Sequence, residues 1–435
     1  MNPQLFTNVN IFDGTGAQCF PGEVLVVENL ITAVSKDSSS LERSSDMDII
    51  DCGGKTLMPG LVEAHAHVTY SDMGFPKELG EIPVEEHTML TLQNMKLMLD
   101  SGFTSLYSAA SSKPRLEVAV RNAVDSGTFP GPRLRAAGPE ITSTGGLGDD
   151  RQMHMHHQGI EIIADGAEEM RTVARTLARE GVDTIKLNIS GDNFVRKDFG
   201  RRLSITEEEV AAVAEVGHQR GVWLACHARA DAAVRLALKY DFRAIYHCDF
   251  IEGETFDLLE EKRDSIFLAP AIGIIYTTAY EAEQWGITEE IARNMDMFGM
   301  LEGAPAIYAE LKKRGLRILP GGDYGFAWNP MGTNARDLEH FVNLFGFTPA
   351  EALMAATKWG GEIMDIPNLG LVEKGYLADL LLIDGNPTEN VKLLQDRDKI
   401  VMIMKDGIYY KYSGAAGNDN PRSVNKAVAS VWERT

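Results

Sequence analysis

Cysteine is scarce in this chain. Four thiols in 435 residues (Cys19, Cys52, Cys226 and Cys248), none in a CxxC pair, exclude a disulfide framework or a cysteine-rich zinc knuckle and fit reduced thiols. Long apolar runs are missing as well. Nothing approaches the roughly 18 uninterrupted apolar residues of a membrane span. The opening MNPQLFTNVNIFDGTG has no basic stretch leading into an apolar one, so it does not read as a secretory leader, and a cytoplasmic location is the expectation. Basic residues are in deficit: 42 Lys and Arg face 63 Asp and Glu, a formal charge of −21. Such a charge repels a phosphate backbone and argues against nucleic acid as a partner.

What is present is an ordinary globular composition, 44% hydrophobic and 24% charged, with ample material for a core. The length suits a barrel of about 250 residues or more with a smaller companion. From Phe6 to Leu57, short apolar runs (VNIF, EVLVV, LITAV, MDIID) broken by Gly, Asp, Asn and Ser predict short strands joined by tight turns. After Pro59-Gly60 the pattern changes. The runs LVEAHAHV, FTSLYSA, RLRAAG, TIKLNIS, VWLACHA, AIYHCDF, IFLAPA and LRILPGGD alternate with helical stretches such as 85–101, 166–180, 205–219, 230–240 and 301–314. Strands alternating with helices imply parallel βα units, and eight of them suffice for a (β/α)8 barrel of the TIM type. The late runs ADLLLID, KIVMIMKDG and IYYKY are expected to pair with the N-terminal strands. The division expected is therefore residues 1–58 with 366–412 as a small β domain, 59–365 as the α/β barrel, and 413–435 as a loosely ordered tail.

Metal-ligating residue types recur at the ends of these runs. His65 and His67 stand two apart in VEAHAHV, and side chains two apart on a strand share a face, so both rings can reach one ion. Lys186 sits inside the apolar run TIKLNIS, where a bare ammonium costs several kcal/mol unless paired or neutralised. Carboxylation by CO2 would turn it into an anionic carbamate able to bridge two cations; pairing with an acid or snorkelling to solvent are the alternatives. His227 ends VWLACH, His247 ends AIYH and Asp323 follows ILPGG, toward the face where barrel active sites lie.

Together with these residues, the segments PGLVEAHAH, DTIKLNIS, CHARA, IYHCDFIEGE and GGDYG closely resemble the amidohydrolase superfamily. DCGGKTLMPG and LGLVEKGYLADLLLIDGNP look like that superfamily's composite β-sandwich. GPRLRAAGPEITSTGG is similar to the strand 3 loop of a branch with Xaa-Pro dipeptidases, ochratoxin-type amidases and, more distantly, imidazolonepropionases. The resemblance implies two divalent metal ions, zinc foremost. His65 and His67 would hold the buried one, His227 and His247 the more exposed one, with carboxylated Lys186 bridging and Asp323 ligating the first while handling a proton.

Two departures bear on the substrate. Leu147 follows Gly145-Gly146 and Arg229 follows His227 by two, where the branch often has histidines. Arg229 is able to clamp a substrate carboxylate or to form an ion pair with a neighbouring acid. His154, His156 and His157 in MHMHHQG mark a candidate lid. Tyr276 and Tyr280 either line a pocket or pack, and Tyr324, Phe326 and Trp328 beside Asp323 suggest an apolar pocket for an aromatic or bulky substrate part. The expectation is hydrolysis of an amide-type C–N bond in a peptide-like, N-acyl, urea or carbamate small molecule, by a protein that associates into a homo-oligomer. Opening of a cyclic amide or deamination with one metal is the rival enzyme reading. A non-catalytic metal-containing binding protein is the rival from another class.

Overall fold

Strands from the two ends of the chain meet in a single sheet. The computed structural model describes residues 2–36, 41–74, 76–154 and 159–412. Strands β1 (Gln4–Ile11), β2 (Phe20–Val27), β3 (Leu30–Ser35), β4 (Asp48–Asp51) and β5 (Thr56–Pro59) come early, β6 (Leu61–Ala66) to β14 (Phe267–Ala269) follow, and β15 (Leu380–Ile383), β16 (Ile400–Lys405) and β17 (Ile408–Tyr412) come late. The sheet runs β17-β16-β15-β5-β1-β2-β3, with β4 beside β1. β15 lies antiparallel to β5, with Leu380 opposite Pro59. Alternation along these strands turns Phe6, Val24, Val26, Leu57, Leu380, Leu382, Met402 and Met404 into one buried cluster, the outcome expected of a sheet with one buried face.

The intervening strands are parallel. β6, β7 (Phe103–Ser108) and β8 (Arg133–Arg135) form one sheet, and β9 (Ile141–Thr142), β10 (Ile162–Ile163), β11 (Thr184–Asn188), β12 (Trp223–Ala230), β13 (Ala244–Phe250) and β14 form another. A bridge between Ala137 and Thr184 joins the two. On the far side Leu268 bridges Ile318, and the Ala64 amide donates to Pro320 O at 3.2 Å, returning the hydrogen bonds to β6. The eighth run, expected as a strand, is met only by that bridge at Ile318. Pro320 has no N–H to give a ladder, and two glycines follow.

Helices separate the parallel strands, and each is placed by its sequence. Thr206 caps Glu207–Arg220 in a box with Glu209, which satisfies orphan amides of the first turn. Ala167–Glu180 buries Met170, Ala174 and Leu177, spaced four and three apart, and ends on left-handed Gly181. Strands β6, β7 and β11 are buried on both faces, which is why they read as near-continuous apolar runs. The tail expected from Ser413 lies outside the described residues.

One ion-pair group ties the parallel strands to the terminal sheet. Arg133 of β8 reaches Asp379, with Nη2 3.1 Å from Oδ1, and also Asp406. Asp379 is buried, so removing the cation leaves an uncompensated acid. Arg133→Ala is expected to destabilise the fold by about 3 kcal/mol, read as a lowered urea midpoint with an unchanged slope.

Candidate metal centre

His65 is the last residue but one of β6 and His67 the first beyond it, both buried and on one side of the chain. Their Nε2 atoms face Asp323 Oδ1 at 3.9 and 3.2 Å. His67 Nδ1 lies 3.3 Å from Ala110 O; a carbonyl only accepts, so Nδ1 carries the proton and Nε2 keeps its lone pair. Asp323 follows Gly321-Gly322 in a left-handed turn with φ 58, held by Asn329 Nδ2 donating to Gly322 O and Asp323 O at 2.9 and 3.0 Å. A side chain at Gly321 would put its Cβ 2.7 Å from that of His65, so the close approach requires glycine. Among the described residues, His65, His67 and Asp323 have ligand atoms all within 4.8 Å of one another.

Three neighbours complete the cluster. Pairing of β11, β12 and β13 sets Asn188 opposite His227 and Ala228 opposite His247. The His227 and His247 rings are 4.3 Å apart, and His247 is 5.5 Å from His65. His227 Nε2 lies 3.1 Å from Gly191 O, which leaves Nδ1 as the ring's lone-pair atom. His247 and Cys248 sit at φ 79 and 57, left-handed conformations that ordinary residues adopt at a cost of about 1 kcal/mol or more. The Tyr308 hydroxyl donates to His247 O and holds the turn. Tyr246 stacks on His65 at 3.9 Å. Lys186 is 2% exposed, its Nζ 4.6 Å from the Tyr246 ring centre and 3.8 Å from Glu140 Oε1.

Burial sets the charge states. It pushes His65 and His247 well below the usual imidazole range and His227 down to about 4, so all three are neutral at pH 7 with lone pairs to give. Burial opposes the Asp323 charge, but His65, His67 and Lys186 hold its carboxyl well below the usual range. His65 Nδ1 and His247 Nδ1 are buried with no hydrogen-bond partner among the described residues. Neutral imidazoles, unpartnered ring nitrogens and a carboxylate are a donor set suited to a divalent cation such as zinc.

The remaining predicted residues divide. Arg229 is 1% exposed and committed: Nε lies 2.5 Å from Asp192 Oδ2, and Nη1 bonds Asp249. The expected carboxylate clamp gives way to the ion-pair alternative, because two buried acids already neutralise the guanidinium. Tyr324 is buried beneath Gly322, its hydroxyl donating to Asp337 at 2.9 Å, so it does not face a substrate. Tyr276 packs against Tyr280, His340 and Arg336, and Tyr280 lines a separate cavity of about 440 Å³ to which no candidate ligand contributes. Leu147 is half-buried, and its carbonyl takes the Asn188 amide at 3.2 Å. His154 is exposed, and His156 and His157 lie outside the described residues. Sequence reasoning missed Glu140 and Asp192. Asp192 Oδ2 lies 3.5 Å from His227 Nε2 and supports that ligand's orientation. The available signal was an acid within an apolar segment at a strand end, GPEIT.

The sequence model of the Amidohydrolase family matches residues 56–409. The chain belongs to that family. Ochratoxinase of Aspergillus niger is 25% identical over 379 residues, covering 82% of this chain and 76% of that protein. Among solved structures, an amidohydrolase superposes with a TM-score of 0.82 at 27% identity, over 94% of this chain and 99% of that one. A Xaa-Pro dipeptidase with methionine in its active site superposes with a TM-score of 0.80 at 25% identity, over 94% and 100%. Family members generally use divalent metals, and the donor set above fits such ions. No helix among the described residues is long and apolar enough to cross a membrane.

Beneath the cluster lies a second acidic layer. Glu63 accepts from the His65 amide at 3.2 Å and from Asn334 at 2.9 Å. Burial, with Asp337 nearby, pushes its carboxyl up to about 8. Burial pushes Asp337 up to about 7 despite donation from Tyr324 and Gly321. Both hold protons more tightly folded than at their unfolded values of 4.5 and 3.8. Their contribution to stability is therefore full below those values and drains away as pH rises through about 7 to 8. In denaturant titrations of chelator-treated protein, Glu63→Gln is expected to lose less stability than the wild type between about pH 6.5, where the buried histidines no longer titrate in the unfolded chain, and about pH 8; parallel profiles over that range would contradict it.

Proposed function

We propose that this chain is a metal-dependent hydrolase of an amide-type C–N bond in a small peptide-like, N-acyl, urea or carbamate compound with an apolar or aromatic part. The observation that carries the reading is the convergence of His65, His67, His227, His247, Lys186 and Asp323, all but Asp323 buried, at one end of the parallel strands. We read residues 59–365 as a closed (β/α)8 barrel, and 1–58 with 366–412 as a β-sandwich. In this reading His65, His67 and Asp323 would hold one divalent ion and His227 and His247 a second, zinc being the favoured metal. Lys186, as its carbamate, would supply an anionic ligand to both. Such ions supply Lewis-acid polarisation of a carbonyl and bring the pKa of a bound water toward neutrality.

The chain's own groups do the rest. Asp323 is 16% exposed on its side chain, open enough to accept a proton from water and return it to the departing nitrogen. His67, fixed in one tautomer by Ala110 O, turns its Nε2 lone pair to the side where Asp323 presents its carboxylate. Phe194, Phe250 and Phe326, half-buried, pack against Ala271, Ile274 and Trp328 as an apolar wall, and Phe326 follows Asp323 by three residues. Such a wall binds an apolar group and thins the water there.

Chelation should abolish hydrolysis of a panel of arylamides, aryl ureas and carbamates, and added zinc or manganese should restore it. Asp323→Asn should lower kcat about 100-fold or more with the circular dichroism spectrum unchanged. Turnover that survives exhaustive chelation would contradict the reading.

A further inference from the structure

Glu140 is a buried acid that the proposed chemistry does not use. It follows β8, and its side chain is 12% exposed, beside Lys186 and the loop after β6. Its Oε2 accepts from Asn188 Nδ2 at 2.6 Å and its Oε1 from the Tyr70 hydroxyl at 3.2 Å. Lys186 Nζ, at 3.8 Å, lies beyond hydrogen-bond reach. A carboxylate has about four acceptor positions, so a buried anion here keeps capacity for further donors. Tyr70 stacks on His67 with ring centres 4.1 Å apart, which places this carboxylate one residue away from the candidate ligands.

The cations nearby are spoken for or would change. Arg229, at the position expected to clamp a carboxylate, is neutralised by Asp192 and Asp249. Conversion of Lys186 to a carbamate would replace the cation in contact with Glu140 by an anion, leaving the acid with no cationic side chain against it among the described residues.

We infer that Glu140 is a specificity-determining residue that accepts a protonated amino group of the substrate, so the hydrolysed compound is a cationic amine-bearing amide rather than a carboxylate-bearing one. The inference rests on the amide-hydrolase reading for its reaction, and on the Glu140 geometry for its charge preference. A charge-assisted bond of this kind is worth about a tenfold difference or more.

The test uses the metal-loaded enzyme and its Glu140→Gln variant on alanine 4-nitroanilide, its N-acetyl form and its N-succinyl form. The expected result is a kcat/KM preference for the free amine over the acetyl form that falls about tenfold or more in the variant, with metal content unchanged. Calorimetry with butylammonium, butyramide and butyrate reads the same preference without turnover: the ammonium alone should bind the wild type, and weakly or not at all the variant. If no anilide is hydrolysed but butylammonium binds through Glu140, the charge preference stands and the amide reading fails. Three results would overturn the inference: equal losses on the amine and acetyl substrates, a drop in bound metal marking Glu140 as a ligand, or a wild-type preference for the succinyl form.

Discussion

Four imidazoles, an amine and a carboxylate crowd together at the ends of parallel strands, and keeping them there is the constraint on which the rest of the structure depends. Buried polar groups cost several kcal/mol unless paired, and here the pairing is incomplete: ring nitrogens of His65 and His247 have no partner among the described residues. The surrounding structure keeps them neutral, oriented and close. Ala110 O and Gly191 O fix two tautomers. Tyr246 and Tyr70 stack on two of the rings. Left-handed His247 and Asp323 aim their side chains at a cost that the strands and the Tyr308 and Asn329 bonds hold in place.

A good part of this arrangement was legible in the sequence. Strands covered on both faces read as apolar runs, so seven of the eight candidates coincide with β6, β7, β8, β11, β12, β13 and β14. Helix periodicity located 166–180 almost residue for residue as Ala167–Glu180. The eighth run misled because apolar composition implies a strand, while Pro320 and its glycines deny the ladder. The candidate ligands stood out because histidine and aspartate recur toward the ends of the runs and a lysine sits inside one, costly residues in apolar places.

What the sequence could not show is who pairs with whom across the fold. Arg229 stood open between a substrate clamp and an ion pair because Asp192 and Asp249 lie on other stretches of chain. Tyr324 looked like pocket lining because its partner Asp337 is a helix residue further on. Glu140 was passed over, since only the fold brings it to Lys186 and Tyr70. These three readings change the expected charge of the substrate pocket without touching the metal site. In the proposed reading the core that the family model matches carries the chemistry, and the loops around it carry selectivity.

The central claim is a bridged pair of metal ions, and metal content per chain tests it most directly. Elemental analysis of the purified protein should find about two divalent ions per chain, falling below about one in Lys186→Ala while the fold persists. A single ion per chain, indifferent to that substitution, would contradict the bridge and with it the two-ion centre.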